Sequence, residues 1–186
     1  GCGCGFCMCH LGSISAKPEP MNTEYSSLDA QALYQQLLMS LQNTLVPEAH
    51  LVGITSGGAW LAERLQRDLA RQVPFGIVSS SLHRDDFSQR GMAESIATKL
   101  PFEVEGAVIW MIDDVLFTGR TIRAVVNELF DYGRPKAVHL AVLVDRSGRE
   151  LPIQADVAIT HVALPAAQTL RLKQDSQGQF AFSLEG

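Results

Sequence analysis

Ile109-Trp-Met-Ile-Asp-Asp-Val-Leu-Phe-Thr-Gly-Arg-Thr121 decides how this chain is read. An apolar run ends in two adjacent carboxylates, Asp113 and Asp114. Thr118-Gly119-Arg120-Thr121 follows and opens a second apolar-periodic segment. The order is therefore strand, acidic turn, small-residue loop and helix start. The unpaired N–H groups and positive dipole end of a helix attract phosphate. Paired carboxylates accept hydrogen bonds from neighbouring hydroxyls or hold a divalent cation. Gly119 permits close backbone approach to an anion, and Thr118 and Thr121 add hydroxyl donors. A ligand with a phosphate at one end and a ribose diol close by would satisfy both halves of the stretch.

Outward from this segment the chain alternates helix and strand. Leu28, Leu33, Leu37, Leu38, Leu41 and Leu45 recur at helical spacing, with Ser26 or Ser27 able to cap the start and Pro47 ending the run. His50 to Ile54 is a short apolar strand, Thr55-Ser56-Gly57-Gly58 a turn, and Ala59 to Arg71 a helix. Phe75 to Ser79 is a second strand. Ser80 to Lys99 is polar and charge-rich, and its length without an apolar face suits a functional loop. Ala107 to Ile112 is the third strand, and Arg120 to Tyr132 a helix stopped by Gly133 and Pro135. Ala137 to Val144 and Asp156 to Thr160 are further strands, and Thr169 to Lys173 with Phe180 to Ser183 form a hairpin. This alternation predicts an α/β fold, a parallel core sheet flanked by helices. Loops after the strand ends, Thr55–Gly58, Asp113–Arg120 and Asp145–Arg149, should converge on one site. Asp113 and Asp114 are expected at a solvent-facing strand end.

The 186 residues suffice for one domain, here residues 21–186. No apolar run approaches the ~20 residues that span a bilayer, so no membrane partner is expected. A net charge of −5 gives no whole-molecule attraction to nucleic acid. All four cysteines, Cys2, Cys4, Cys7 and Cys9, lie in the first ten residues, unlike a disulfide scaffold, and a cytoplasmic location fits. Residues 1–20, rich in Gly, Ser and Pro, read as a disordered extension or tag before Met21. Thr55-Ser56-Gly57-Gly58, between strand and helix, can form a second anion nest, suited to pyrophosphate. It is not a dinucleotide fingerprint, and no Walker lysine motif occurs. No histidine pairs with a nucleophile as a hydrolase triad requires.

The acidic-turn segment resembles the phosphoribosyl pyrophosphate (PRPP) motif of type I phosphoribosyltransferases. Leu51 to Ala62, His83-Arg-Asp-Asp86, Leu140 to Arg146 and Arg149-Glu-Leu-Pro-Ile153 extend the likeness. Together these blocks resemble the pyrimidine operon regulator family (PyrR) over about residues 28 to 160. The Arg-Asp-Asp and Arg-Glu-Leu-Pro blocks are more specific than the PRPP motif, which many phosphoribosyltransferases share.

The resemblance implies the type I phosphoribosyltransferase fold with a small C-terminal hood, and a dimer or higher homo-oligomer. It implies a glycosyltransferase that converts uracil and PRPP to UMP and pyrophosphate, with Mg²⁺ on the pyrophosphate. Asp113, Asp114 and Arg84 would be catalytic, the two aspartates also reaching the metal. Thr55, Ser56 and Gly57, together with Val115, Leu116, Phe117, Thr118, Gly119, Arg120 and Thr121, would bind PRPP. Val144, Asp145 and Arg146 would read the base through backbone groups. Some relatives also bind leader RNA in response to uridine nucleotides. Candidate cations for an RNA face here are Arg123, Arg134, Lys136, Arg146 and Arg149. The chain departs from the family in carrying Thr55-Ser56-Gly57 for Thr-Arg-Gly, which removes a cation expected near pyrophosphate. It also has Ser147-Gly148-Arg149 for Gly-His-Arg and lacks a Gly-Lys-Asn-like run in the hood.

Overall fold

The structure, a computed structural model, describes residues 28–80 and 97–186. Its frame is one parallel sheet of β1 (His50–Ile54), β2 (Gly76–Val78), β3 (Val108–Leu116), β4 (Ala137–Arg146) and β5 (Val157–Val162), in the order β2-β1-β3-β4-β5. The helices are α1 (Ala30–Thr44), α2 (Gly57–Asp68) and α3 (Arg120–Tyr132), and an antiparallel hairpin of β6 (Thr169–Gln174) and β7 (Phe180–Glu185) follows.

Both faces of β3 are covered because its side chains alternate between two apolar clusters. Trp110 and Ile112 join Leu37 and Leu41 of α1, Leu61 and Leu65 of α2, and Leu170, Leu172 and Phe180 of the hairpin. Ile109 and Met111 join Ile122, Val125 and Leu129 of α3. Apolar residues on both faces are what a buried parallel strand requires. The hairpin closes over α1: the Tyr34 and Phe180 rings lie 5.7 Å apart, and the Arg64 guanidinium sits 4.5 and 4.9 Å from their centres.

Several boundaries differ from the sequence reading. The first helix begins at Ala30, and its cap is Asp29, whose carboxylate accepts the N–H groups of Gln31 and Ala32 at 3.1 Å. A carboxylate one residue before the helix satisfies those amides directly. The second helix starts at Gly57, two residues early, because glycine lets it press onto the sheet: a Cβ on Gly58 would lie 2.1 Å from the Ile112 carbonyl oxygen. The third strand does not stop before the acid pair but runs through it to Leu116, paired with β4 as far as Leu116–Asp145. Residues 1–20, with the extension assigned to them, lie outside the described residues.

Candidate functional site

The carboxyl ends of β1, β3 and β4 and the amino ends of α2 and α3 meet at one end of the sheet. In parallel sheets this end collects ligand-binding loops. Gly119 adopts φ +92° at the α3 N-cap, a left-handed conformation that glycine enters without steric cost. The first α3 backbone bond runs from the Arg123 N–H to the Gly119 carbonyl at 3.0 Å, so the amides of residues 120–122 precede the helical ladder. Of these, the Arg120 N–H reaches Thr118 Oγ1 at 3.2 Å. The loop before α3 is thus a row of donors at a positive dipole end.

A second segment braces this loop from behind. The Thr118 carbonyl accepts the N–H groups of Glu150 and Leu151 at 3.0 and 3.2 Å. The Arg149 guanidinium donates to the Phe117 carbonyl, to the Ile153 carbonyl at 2.7 Å and to the Asp145 carboxylate at 2.6 Å. Arg120, named among the PRPP-binding residues, pairs with Glu150 at 2.7 Å.

The two aspartates part company. Strand alternation sends them to opposite faces of β3. Asp113 is buried, 8 % exposed, and its Oδ1 accepts the Asp114 N–H at 2.9 Å. Asp114 turns toward α2 and the hairpin. Its Oδ1 accepts the Val115 N–H at 2.9 Å and its Oδ2 the Leu172 N–H at 3.0 Å. The same carboxylate packs on Gly57, where an added Cβ would lie 2.8 Å from it. The expectation of a solvent-facing acid pair therefore fails, because β3 continues through both residues with its neighbours in place. Among the described residues no three His, Cys, Asp or Glu side chains converge as a metal cage. Oxygen donors of this kind fit a Mg²⁺ that arrives on a phosphate ligand and takes one or two carboxylates.

Directly after β1, Thr55 is tied to Ser80: the Ser80 N–H donates to Thr55 Oγ1 at 3.0 Å, and Ser80 Oγ to the Thr55 carbonyl at 2.6 Å. Ser80 is 2 % exposed and was missed in sequence; its only signal was a small polar residue at a strand's carboxyl end. Ser56 is exposed, and Gly57 begins α2. Lys99 bonds reciprocally to Ile77 at 2.7 and 2.8 Å, which fixes where the chain returns to the sheet. Arg84 and the rest of the His83–Asp86 block lie outside the described residues.

Val144, Asp145 and Arg146 belong to β4 rather than to a loop. β4 lies between β3 and β5, with Val144 paired to Val115 and Thr160, and Arg146 to Val162. Backbone groups in those ladders are shared with the neighbouring strands, and Asp145 and Arg146 stand at the carboxyl end of β4. The Arg146 side chain is 2 % exposed and donates to the carbonyls of Gln168, Pro165 and Leu164 at 2.6, 3.0 and 3.5 Å. Its guanidinium lies 3.9 Å from the centre of the Phe117 ring, and burial lowers its pKa. Arg146 therefore leaves the candidate RNA face, and so in large part does Arg149, its fork being occupied. Arg123, Arg134 and Lys136 remain exposed.

Comparison with known proteins agrees with this geometry. The family described as "Phosphoribosyl transferase domain" matches residues 24–165. A protein named bifunctional protein PyrR from Ralstonia nicotianae is 50 % identical over 166 residues, covering 85 % of this chain and 95 % of that one. Its namesake from Nitrosococcus oceani is 42 % identical over 171 residues, covering 88 % and 94 %. Among solved structures, a hypoxanthine phosphoribosyltransferase from Staphylococcus aureus superposes with a TM-score of 0.55 at 20 % identity, over 72 % of each chain. That likeness carries the fold, the type I phosphoribosyltransferase architecture. The Arg-Glu-Leu-Pro segment behind the loop of residues 117–121 and the length of the matches agree, and the chain belongs to the PyrR family of phosphoribosyl transferase domain proteins.

Proposed function

We propose that this protein transfers the ribose 5-phosphate of PRPP to uracil, giving UMP and pyrophosphate. The observation that supports it most is the braced loop of residues 117–121 at the amino end of α3, beside a carboxylate-bearing strand end, in a PyrR chain. Displacement at the anomeric carbon builds positive charge on the sugar and negative charge on the leaving group. Catalysis then requires positioning and charge neutralisation rather than covalent chemistry by the protein.

The amides and hydroxyls of Thr118 to Thr121 take the 5′-phosphate, and Val115, Leu116 and Phe117 carry the loop. Asp113 faces the ribose diol, with Asp114 setting the strand end against α2 and the hairpin. Thr55, Ser56 and Gly57 receive pyrophosphate. Arg84 is the cation that the family motif assigns to the same group. Asp113 and Asp114 would hold a magnesium ion that arrives with the substrate, and its charge would help to neutralise the leaving group. The base lies beyond the end of β4, near Asp145. The phosphorylated ligands are retained within cells, in keeping with a cytoplasmic protein, and homodimers or higher oligomers are expected.

PRPP consumption measured against uracil, hypoxanthine, guanine and adenine tests the reading. Turnover with uracil is expected. A purine accepted in its place, or no base at all, would sink it. The exposed cations Arg123, Arg134 and Lys136, and the relatives' name "bifunctional", favour a second role in binding RNA. That role predicts affinity for a pyrimidine-leader RNA that falls steeply with salt and weakens when these three are neutralised.

A further inference from the structure

We infer that Arg149 is a positioning residue for the phosphate loop, an inference that rests on the proposed reading of residues 118–121. In a trans peptide the carbonyl of one residue and the N–H of the next point in opposite directions. The only cis peptide among the described residues is Thr55–Ser56, so the peptides after Phe117 and Thr118 are trans. The Phe117 carbonyl is held by the Arg149 guanidinium, and the Thr118 carbonyl by the N–H groups of Glu150 and Leu151. Two successive carbonyls are thus drawn to the side of the Arg149–Leu151 segment. The N–H groups of Thr118 and Gly119 must then face the other way. They extend the row of donors that begins at the α3 amino end, and successive amides so arranged form an anion nest.

Arg149 suits this task by geometry rather than by charge. It donates at once to Phe117, Ile153 and Asp145, which belong to the loop, the chain behind it and the end of β4. Its charge is already met by Asp145, and the two side chains are only 25 % and 15 % exposed. A planar fork reaches several fixed acceptors together, whereas a lysine ammonium is a point charge on a flexible stem. Ile153, held through its carbonyl, lies against Gly119, 3.0 Å from where a Cβ would stand. One side chain therefore orients the loop from both of its ends.

The test is steady-state kinetics and UMP titration of the full chain with Arg149→Lys and Arg149→Ala. A group that preorganises phosphate binding in ground and transition states alike acts on KM more than on kcat. Both variants should raise the KM for PRPP and the Kd for UMP about tenfold, the usual scale of a lost charge-assisted hydrogen bond. The kcat should stay within about threefold and the KM for uracil should hold. Arg149→Lys keeps charge and stem, and it carries the test should the alanine variant not fold. Wild-type PRPP affinity in the lysine variant would overturn the inference in favour of simple charge. A lower melting temperature with unchanged KM would overturn it in favour of a scaffold role. An unaltered protein that neither turns over PRPP nor binds UMP would remove the site reading itself, and the inference with it.

Discussion

The carboxylate of Asp114 accepts the backbone N–H of Leu172 at 3.0 Å, joining the end of the central strand to the C-terminal hairpin. Its other oxygen accepts the N–H of Val115, so both oxygens are engaged. Asparagine offers one carbonyl oxygen and an NH₂, and one of these two amides would then face a donor. Asp114→Asn should cost about 1–3 kcal/mol, the scale of a polar group left unsatisfied. Thermal unfolding checks this. Unchanged stability with lost PRPP binding would make Asp114 a ligand group and nothing more.

Gly58 sets how closely α2 approaches β3. A methyl group there would stand 2.1 Å from the Ile112 carbonyl oxygen, a rigid backbone atom. Gly58→Ala must therefore push the amino end of α2 off the sheet and disturb Thr55 to Gly57 with it. A loss of at least about 1–3 kcal/mol is expected, as for overpacked cores. A wild-type melting temperature in this variant would refute the close approach.

Tyr34 gives the fold an alkaline limit. It is fully buried, and its hydroxyl donates to Asp68 at 2.6 Å. Burial first, then the bond to Asp68 and its negative charge, raise the phenol pKa well above the usual 10.0. The unfolded chain releases this proton near pH 10 while the folded one keeps it. Stability from Tyr34 is thus complete below pH 10 and declines as pH rises beyond it. Denaturant titrations at pH 8 and pH 11 should show a smaller decline for Tyr34→Phe than for the unaltered protein. Equal declines would show that Tyr34 does not control the limit.

Arg146 should behave as a core residue despite its charge. Its guanidinium serves three carbonyls of the 164–168 segment and lies over Phe117. Arg146→Gln would leave several of those acceptors unmet, at a cost of about 3 kcal/mol or more. The salt dependence of any RNA binding should stay the same. A shallower salt slope without loss of stability would return Arg146 to the surface.

What sequence disclosed about this protein followed the range of the forces involved. Strands such as Ile109–Ile112 and the glycine before α3 were legible because apolar runs and left-handed turns are local. The strand's continuation through Asp113 and Asp114 was not, since acids ordinarily mark a turn and only pairing with β4 carries the strand past them. Arg146 and Arg149 looked like surface cations for the same reason. Their acceptors lie on the 164–168 segment, on Phe117 and on Ile153, and composition does not reveal which carbonyls will be turned toward them. Asp29 and the serines before it are equally plausible caps by residue type, and only the folded backbone decides which one is in place.

The hairpin that closes over α1 has a consequence for how the chain is made. Tyr34 leaves the ribosome long before Phe180, yet the two rings meet in the finished core, with Arg64 laid across both. A nascent chain that has reached only β5 holds an α1 whose outer partner has not been synthesised. Contacts so distant in sequence form late and slowly. Until residues 169–185 have emerged, the Tyr34 side of the first helix lacks the cover that the hairpin gives it, although the sheet already packs on its other side.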